Sequence, residues 1–193
     1  MPGTATGFSK VTTDRGVQGG TALAIGGLAY QNTAASTAIS NTATETAFST
    51  VYNTPANSLT AGTVVRIRFH GIATSTNSTD TLTIKLKIGG STTNTTGTAV
   101  ITTSAVDVAN NDIFTGYAEL VIRTDGASGT MVACGLYSDP GAQGSTCKAF
   151  SLASTAIDTT VAQPIKVTAT WSAASASDSC RLDILSIQIL GGA

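Results

Sequence analysis

The chain contains one histidine, His70, and acid–base chemistry near neutral pH would most readily use this side chain. His70 follows Arg66 and Arg68 at every second position, so the three residues share the polar face of a predicted strand. No serine has the glycine-flanked context of a nucleophile elbow. We therefore interpret His70 as a surface residue, and we predict no catalytic residue and no enzymatic activity.

The carboxylates are few and dispersed, and only residues 107–112 (DVANND) gather several oxygen ligands. Calcium prefers such ligands, but the segment lacks the spacing and the glycine of an EF-hand loop. A solvated turn is therefore the favoured interpretation, and we predict no metal site and no cofactor. A glycosidase would need two carboxylates that converge across a cleft, and the sequence indicates no such pair. The other carboxylates considered are Glu119, Asp125, Asp139, Asp158, Asp178 and Asp183.

The three cysteines, Cys134, Cys147 and Cys180, form no Cys-x-x-Cys pair. An odd number of cysteines argues against a fold built on disulfides. Buried, reduced thiols that act as small apolar residues are the favoured interpretation. A disulfide between Cys147 and Cys180 stays open as an alternative.

Charged residues make up only 11% of the chain, against about 25% in ordinary soluble domains. The formal net charge of −1 excludes the broad basic surface that nucleic-acid binding requires. Two interpretations of this low charge content stay open. The surface is either polar and uncharged, or largely covered in an assembly, where unpaired charges are depleted.

No stretch approaches the roughly 20 apolar residues of a membrane helix. Residues 1–16 also lack the apolar core of a signal peptide. We therefore expect no membrane association, and we expect synthesis in a cytoplasm.

Alternation of apolar and polar residues predicts four long strands of a half-buried antiparallel sheet. The opposite faces of these strands carry polar residues such as Lys85, Tyr117, Glu119, Lys166 and Thr168. The residues assigned to the buried face are Val65, Ile67 and Phe69; Leu82, Ile84, Leu86 and Ile88; Phe114, Ala118, Leu120 and Ile122; and Ile165, Val167, Ala169 and Trp171.

The apolar parity of the last segment, CRLDILSIQIL (residues 180–190), switches between Ile184 and Leu185. This switch predicts a β-bulge or a strand buried on both faces. With shorter candidate segments, the chain contains eight or nine strands separated by turn residues and no amphipathic helix. The sequence therefore predicts an all-β, antiparallel two-sheet sandwich of the jelly-roll type.

The first 27 residues are rich in glycine and threonine, with isolated apolar and basic side chains. We interpret residues 1–27 as an extended N-terminal arm and residues 28–193 as a single sandwich domain. A disordered terminus is the alternative. If a partner orders the arm, its contacts are expected at Phe8, Lys10, Val11, Arg15 and Leu23.

Three stretches carry a resemblance to a known family: residues 54–90, 116–138 and 158–190. They contain the turn LTAGT, the strand TLTIKLKIGG and the late segment DTTVAQPIKVTATWSAASAS. Together they resemble a family of tailed-bacteriophage virion proteins with a jelly-roll domain. The match runs over roughly residues 46–190 and carries no site residue with it.

The resemblance implies a structural role in a virus particle. We expect a capsid decoration or cement protein that binds the major capsid protein at the capsid surface. It is expected to be a homo-oligomer, most simply a trimer, and to be made in the host cytoplasm. The alternatives are a receptor- or carbohydrate-binding jelly-roll module of a tail fibre and a small jelly-roll capsid protein.

Overall fold

The computed structural model describes residues 18–19, 22–23, 27–77, 79–141 and 147–191. These residues form strands, turns and bends without a helix, which confirms the all-β prediction. Accordingly, the described ranges hold no helix that could cross a membrane. The strands are β1 (Gln18–Gly19), β2 (Ala22–Leu23), β3 (Gly27–Gln31), β4 (Ile39–Ser40), β5 (Thr46–Thr54), β6 (Val64–Thr74), β7 (Thr81–Ile88), β8 (Thr98–Thr102), β9 (Val106–Asp107), β10 (Asp112–Thr124), β11 (Gly129–Gly141), β12 (Lys148–Ile157), β13 (Gln163–Trp171) and β14 (Ser179–Leu190).

Two antiparallel sheets form a sandwich, and β1 and β2 pair separately as a short hairpin. The large sheet has the order β12-β11-β10-β6-β14-β3, and β4 also pairs with β14. The small sheet has the order β5-β13-β7-β8, and β9 also pairs with β7. The predicted two-sheet sandwich is therefore confirmed.

Eight of these strands have jelly-roll connectivity. In chain order they are β3, β5, β6, β7, β8, β10, β13 and β14, and the pairs are nested: β3 with β14, β5 with β13, β6 with β10, and β7 with β8. The first of the eight strands pairs with the last, the second with the second last, and so on inward. This nested pairing is the double Greek key of a jelly roll. The hairpin β11–β12 is inserted before β13 and widens the large sheet.

The strand number exceeds the predicted eight or nine. All nine predicted strand segments are present as β5 to β8 and β10 to β14. The five additional strands are two to five residues long. A period of two residues cannot be recognised over so few positions, so the sequence pattern did not indicate them.

The core lies between the sheets and includes all the apolar residues that alternation assigned to it. Trp171 is 1% exposed. Two aromatic rings are accommodated by glycines on the facing strand: Phe114 lies opposite Gly71, and Phe69 lies opposite Gly116. A Cβ atom at Gly71 would come within 2.2 Å of the Phe114 ring, and one at Gly116 within 2.4 Å of the Phe69 ring. The two glycines therefore make room for the rings in the core.

The parity switch in the last strand corresponds to a bulge. The pairing of β14 with β6 shifts register between Leu182 and Ile184. As a result, the core contains Leu182, Leu185 and Ile187, although Leu182 and Leu185 are an odd number of residues apart. The bulge prediction is confirmed.

The outer face of the small sheet differs from the sequence expectation. The polar residues Lys166 and Thr168 point away from the core, yet both are 0% exposed. The loop between β7 and β8 covers Lys166, whose Nζ donates to the carbonyl oxygens of Gly89, at 3.2 Å, and of Ser91. Burial lowers the pKa of Lys166, and the nearby Lys87 lowers it further.

Glu45, just before β5, is the counter-ion for the lysines on this face. Its Oε1 lies 2.7 Å from Lys87 Nζ, and its Oε2 lies 3.1 Å from Lys85 Nζ. The Thr168 hydroxyl donates to Oε1 at 2.7 Å. Three lysines and one carboxylate thus form a largely covered polar cluster, which we call the Glu45 cluster (Glu45, Lys85, Lys87, Lys166 and Thr168).

Candidate functional site

The outer face of the large sheet presents an aromatic and aliphatic row flanked by arginines. Register places Tyr117 of β10 between Arg68 of β6 and Leu136 of β11. Tyr117 is 40% exposed and Leu136 is 49% exposed, and Arg68 is also exposed. The neighbouring row contains Arg66 and Glu119. We call this surface the Tyr117 patch (Arg66, Arg68, Tyr117, Glu119 and Leu136).

Hydrogen bonds orient the patch. Glu119 Oε2 accepts from Arg66 Nε at 2.8 Å and from the Tyr117 hydroxyl at 3.1 Å. The hydrogen bond from Arg66 lowers the pKa of Glu119, and the one from Tyr117 lowers it further. Partial burial and the bond to Glu119 raise the pKa of Tyr117. Glu119 therefore neutralises Arg66 and holds the tyrosine ring in place.

Arg68 gives the patch its net positive charge. Across the ranges that the structure describes, the ion pairs do not include Arg68. On contact with a partner, an exposed arginine can form charge-assisted hydrogen bonds to that partner. The exposed tyrosine and leucine beside it would lose their contact with water at the same time. The patch is therefore suited to contact with another macromolecule.

A cleft of about 370 Å³ opens at one end of the sandwich, between the β7–β8 turn and the β12–β13 loop. Its floor includes the buried side chains of Ile88 and Met131. Its rim includes Asp158 and the half-exposed Val161, and the buried Gln163 also lines it. Gln163 Nε2 donates to the main-chain oxygen of Asp158, which holds the rim loop in place. The cleft thus combines an apolar floor with a carboxylate and an amide.

His70 lies on the outer face of the large sheet, as predicted, in register with Thr115 and Ile184. Residues 107–112 run from the end of β9 to the start of β10, and in the turn between them Asp112 Oδ2 accepts the main-chain N–H of Ala109 at 2.7 Å. Where residues are described, no three His, Cys, Asp or Glu side chains are grouped so as to hold a metal ion.

Two carboxylates that the sequence did not bring together do meet in the fold. Asp80 and Asp178 are 4% and 0% exposed, and they lie side by side at the end of the sandwich next to residues 107–112. Sequence reasoning missed this pair because the two residues precede strands that are remote in the chain.

All three cysteines are free, as predicted, but the predicted burial is correct for one residue and wrong for two. Cys180 is buried, and burial raises the pKa of its thiol to about 12. Cys134 and Cys147 are exposed, and neither is in a disulfide. Cys134 lies on the outward parity of β11, opposite to that of the buried Ala133, so the strand turns its thiol to the surface. The alternative Cys147–Cys180 disulfide is not formed.

Four of the predicted arm contacts, Phe8, Lys10, Val11 and Arg15, lie outside the described residues. Leu23 is in β2, which pairs with β1. The arm as a partner-binding segment stays a prediction.

Comparison with known proteins provides no family. No family model and no curated protein sequence matches the chain. Among solved structures the chain is similar to a lectin, UEA-II, in complex with galactose. Sequence identity is 8%, the alignment covers 75% of this chain and 80% of that chain, and the TM-score is 0.36. A likeness this weak carries no argument about function.

Proposed function

We propose that the chain is a structural virion protein of the capsid decoration or cement type, which attaches to a shell protein through the Tyr117 patch. The observation that carries the proposal is the row of Arg68, Tyr117 and Leu136 at the surface of a rigid sheet. Tyrosine and arginine are enriched at the energetic centres of protein interfaces. The jelly-roll connectivity and the resemblance of the sequence to phage virion proteins support the same role.

The chemistry of the patch specifies the partner surface. Arg66 is neutralised by Glu119, so Arg68 remains to pair with an acidic group. We infer an acidic and partly apolar surface on the major capsid protein, with the decoration protein bound as a homo-oligomer, most simply a trimer, at the capsid surface. A central aromatic side chain held by its own hydrogen bond loses little conformational entropy on binding.

Binding to capsids stripped of this protein tests the proposal. Tyr117→Ala is expected to weaken binding at least about 30-fold, which corresponds to an interface residue that contributes 2 kcal/mol or more. Arg68→Glu is expected to weaken it further and to reverse its salt dependence, because it replaces attraction with repulsion. Sedimentation of the chain with stripped particles measures both effects.

Val161→Ala is the matched control, because Val161 is 50% exposed and lies on the rim of the cleft, away from the patch. Equal binding by the wild type, Tyr117→Ala and Arg68→Glu would show that the patch is not the attachment surface.

The cleft favours a second candidate function, binding of a carbohydrate as a receptor-binding module. An apolar floor beside a carboxylate and an amide suits the apolar and hydroxyl faces of a sugar. A glycan array probed with the full chain would then show a defined set of ligands, and Asp158→Ala would abolish it while Tyr117→Ala would not. An array without signal would exclude this candidate.

A further inference from the structure

Asp80 and Asp178 are placed together by the jelly-roll connectivity. Asp80 immediately precedes β7 and Asp178 immediately precedes β14. Ser179 pairs with Thr74 at the end of β6, and the N–H of Ser172, just after β13, donates to the carbonyl oxygen of Thr81. The loops before β7 and β14 therefore close the same end of the sandwich.

One carboxylate oxygen of this pair is enclosed without a partner. Asp178 Oδ1 accepts from the Ser177 hydroxyl at 3.5 Å, whereas Asp178 Oδ2 is buried and has no hydrogen-bond partner among the described residues. Asp80 Oδ2 accepts from Asn77 Nδ2 at 2.9 Å. The hydroxyl of Ser75 also lies beside Asp178.

Residues 107–112 lie against this pair. The N–H of Val108 donates to the carbonyl oxygen of Asp80 at 3.4 Å, and the N–H of Ser75 donates to that of Ala109 at 3.1 Å. Within the described ranges, no ion pair of a lysine or arginine includes Asp80 or Asp178. The end of the sandwich is thus rich in oxygen atoms and carries two carboxyl groups.

Two adjacent buried carboxylates are unfavourable without a compensating positive charge. Burial raises the pKa of Asp178, a hydrogen bond from Ser75 opposes that effect, and the negative charge of Asp80 raises it further. A cation bound between the two buried carboxylates would offset their mutual repulsion.

We propose that Asp80 and Asp178 bind a divalent cation of the calcium class at this end of the sandwich. Two carboxylates match its charge, and oxygen is the ligand that it prefers. The hydroxyl of Ser75 is a further oxygen ligand beside Asp178, and water completes the coordination of calcium in many protein sites. The bound ion would link the loops before β7 and β14 and so stabilise the fold. This site is separate from the Tyr117 patch, so it does not depend on the proposed function.

Terbium luminescence provides a direct test, because Tb³⁺ occupies calcium sites and is sensitised by a nearby tryptophan. Trp171, the one tryptophan of the chain, lies beside Cys180, which also faces Asp178. Adding Tb³⁺ to the EDTA-treated full chain is expected to produce saturable emission on tryptophan excitation, and excess calcium is expected to displace it. Asp178→Asn and Asp80→Asn should each remove the signal.

Thermal unfolding provides an independent measurement. A calcium concentration about 100-fold above the dissociation constant is expected to raise the Tm of the wild type by about 5–10 °C. Asp125→Asn is the matched control, since Asp125 is an exposed carboxylate in the β10–β11 turn, and it should keep the full response.

The wild-type titrations alone can overturn the proposal, even if the variants do not fold. Absence of saturable, calcium-displaceable terbium emission would exclude the site. A Tm of the wild type that does not respond to calcium would likewise exclude the site.

Discussion

Replacing Trp171 with alanine is expected to lower the free energy of unfolding by about 3–5 kcal/mol, the usual range for a deleted large aromatic side chain in a core. Trp171 is 1% exposed and lies in register with Leu82 of the neighbouring strand. Both sheets of the sandwich surround it, so the cavity cannot close without moving a sheet. Urea unfolding of the wild type and the variant measures the difference.

Val161→Ala is the control for Trp171→Ala, because a half-exposed side chain leaves no cavity and its loss should change stability by less than about 0.5 kcal/mol. The native fluorescence of Trp171 should also be blue-shifted and protected from iodide. A loss of less than about 1 kcal/mol together with ready iodide quenching would contradict the burial of this residue.

The burial of Trp171 is an example of what alternation predicts reliably. A strand turns successive side chains to opposite faces, so parity alone assigns Leu82, Ile84, Leu86 and Ile88 to one side. All four are at most 2% exposed. The bulge in β14 was also visible in the sequence, because an extra residue shifts the parity of every apolar residue after it.

Alternation does not reveal which strands become neighbours. The sequence pattern assigned an outward face to some members of the row Arg68, Tyr117 and Leu136 and left others unassigned. Only the strand order β6-β10-β11 aligns the three residues. Asp80 and Asp178 meet for the same reason, through the closure of a jelly roll by its last strand. Contacts between remote segments depend on the whole topology, which local pattern does not contain.

Parity also gives no information on what covers an outer face. Lys166 and Thr168 were predicted to face away from the core, and they do, but the β7–β8 loop lies over Lys166 and Glu45 bonds the hydroxyl of Thr168. The lysine chain is long enough to bond the carbonyl oxygens of that loop while its stem packs on the sheet. A loop of ordinary polar composition provides no sequence signal that it folds back over a sheet.

The Glu45 cluster leads to a pH-dependent prediction. Burial alone would raise the pKa of Glu45, but hydrogen bonds from Lys87, Thr168 and Lys85 outweigh it and hold the pKa at about 2, below its ordinary value of 4.5. A carboxyl group whose pKa is lowered on folding stabilises the protein above its unfolded pKa. This contribution is therefore complete above about pH 4.5 and is lost as the pH falls toward 2.

Glu45→Gln is expected to lower the free energy of unfolding at pH 7 by about 2–3 kcal/mol. A pKa difference of about 2.5 corresponds to roughly 3.4 kcal/mol, at 1.36 kcal/mol for each pKa unit, and solvent screening of this partly exposed carboxylate reduces that value. Glutamine keeps the shape and can accept the bond from Thr168, but it leaves Lys85, Lys87 and Lys166 without a negative charge. Urea unfolding of both proteins in EDTA, from pH 7 to pH 3, measures the difference between them. That difference should be constant down to about pH 5 and should fall to less than half by pH 3.

Subtracting one curve from the other isolates Glu45 from the remaining carboxyl groups. Asp178 acts with the opposite sign, because a pKa raised on folding adds stability as the pH falls, but it is present in both proteins and cancels. Additivity holds for sites that share no partners, and the Glu45 cluster and the Asp178 pair have no residue in common. If the two curves stayed parallel from pH 7 to pH 3, Glu45 would not be the counter-ion of the buried lysines, and the loop over Lys166 would be held by its carbonyl bonds alone.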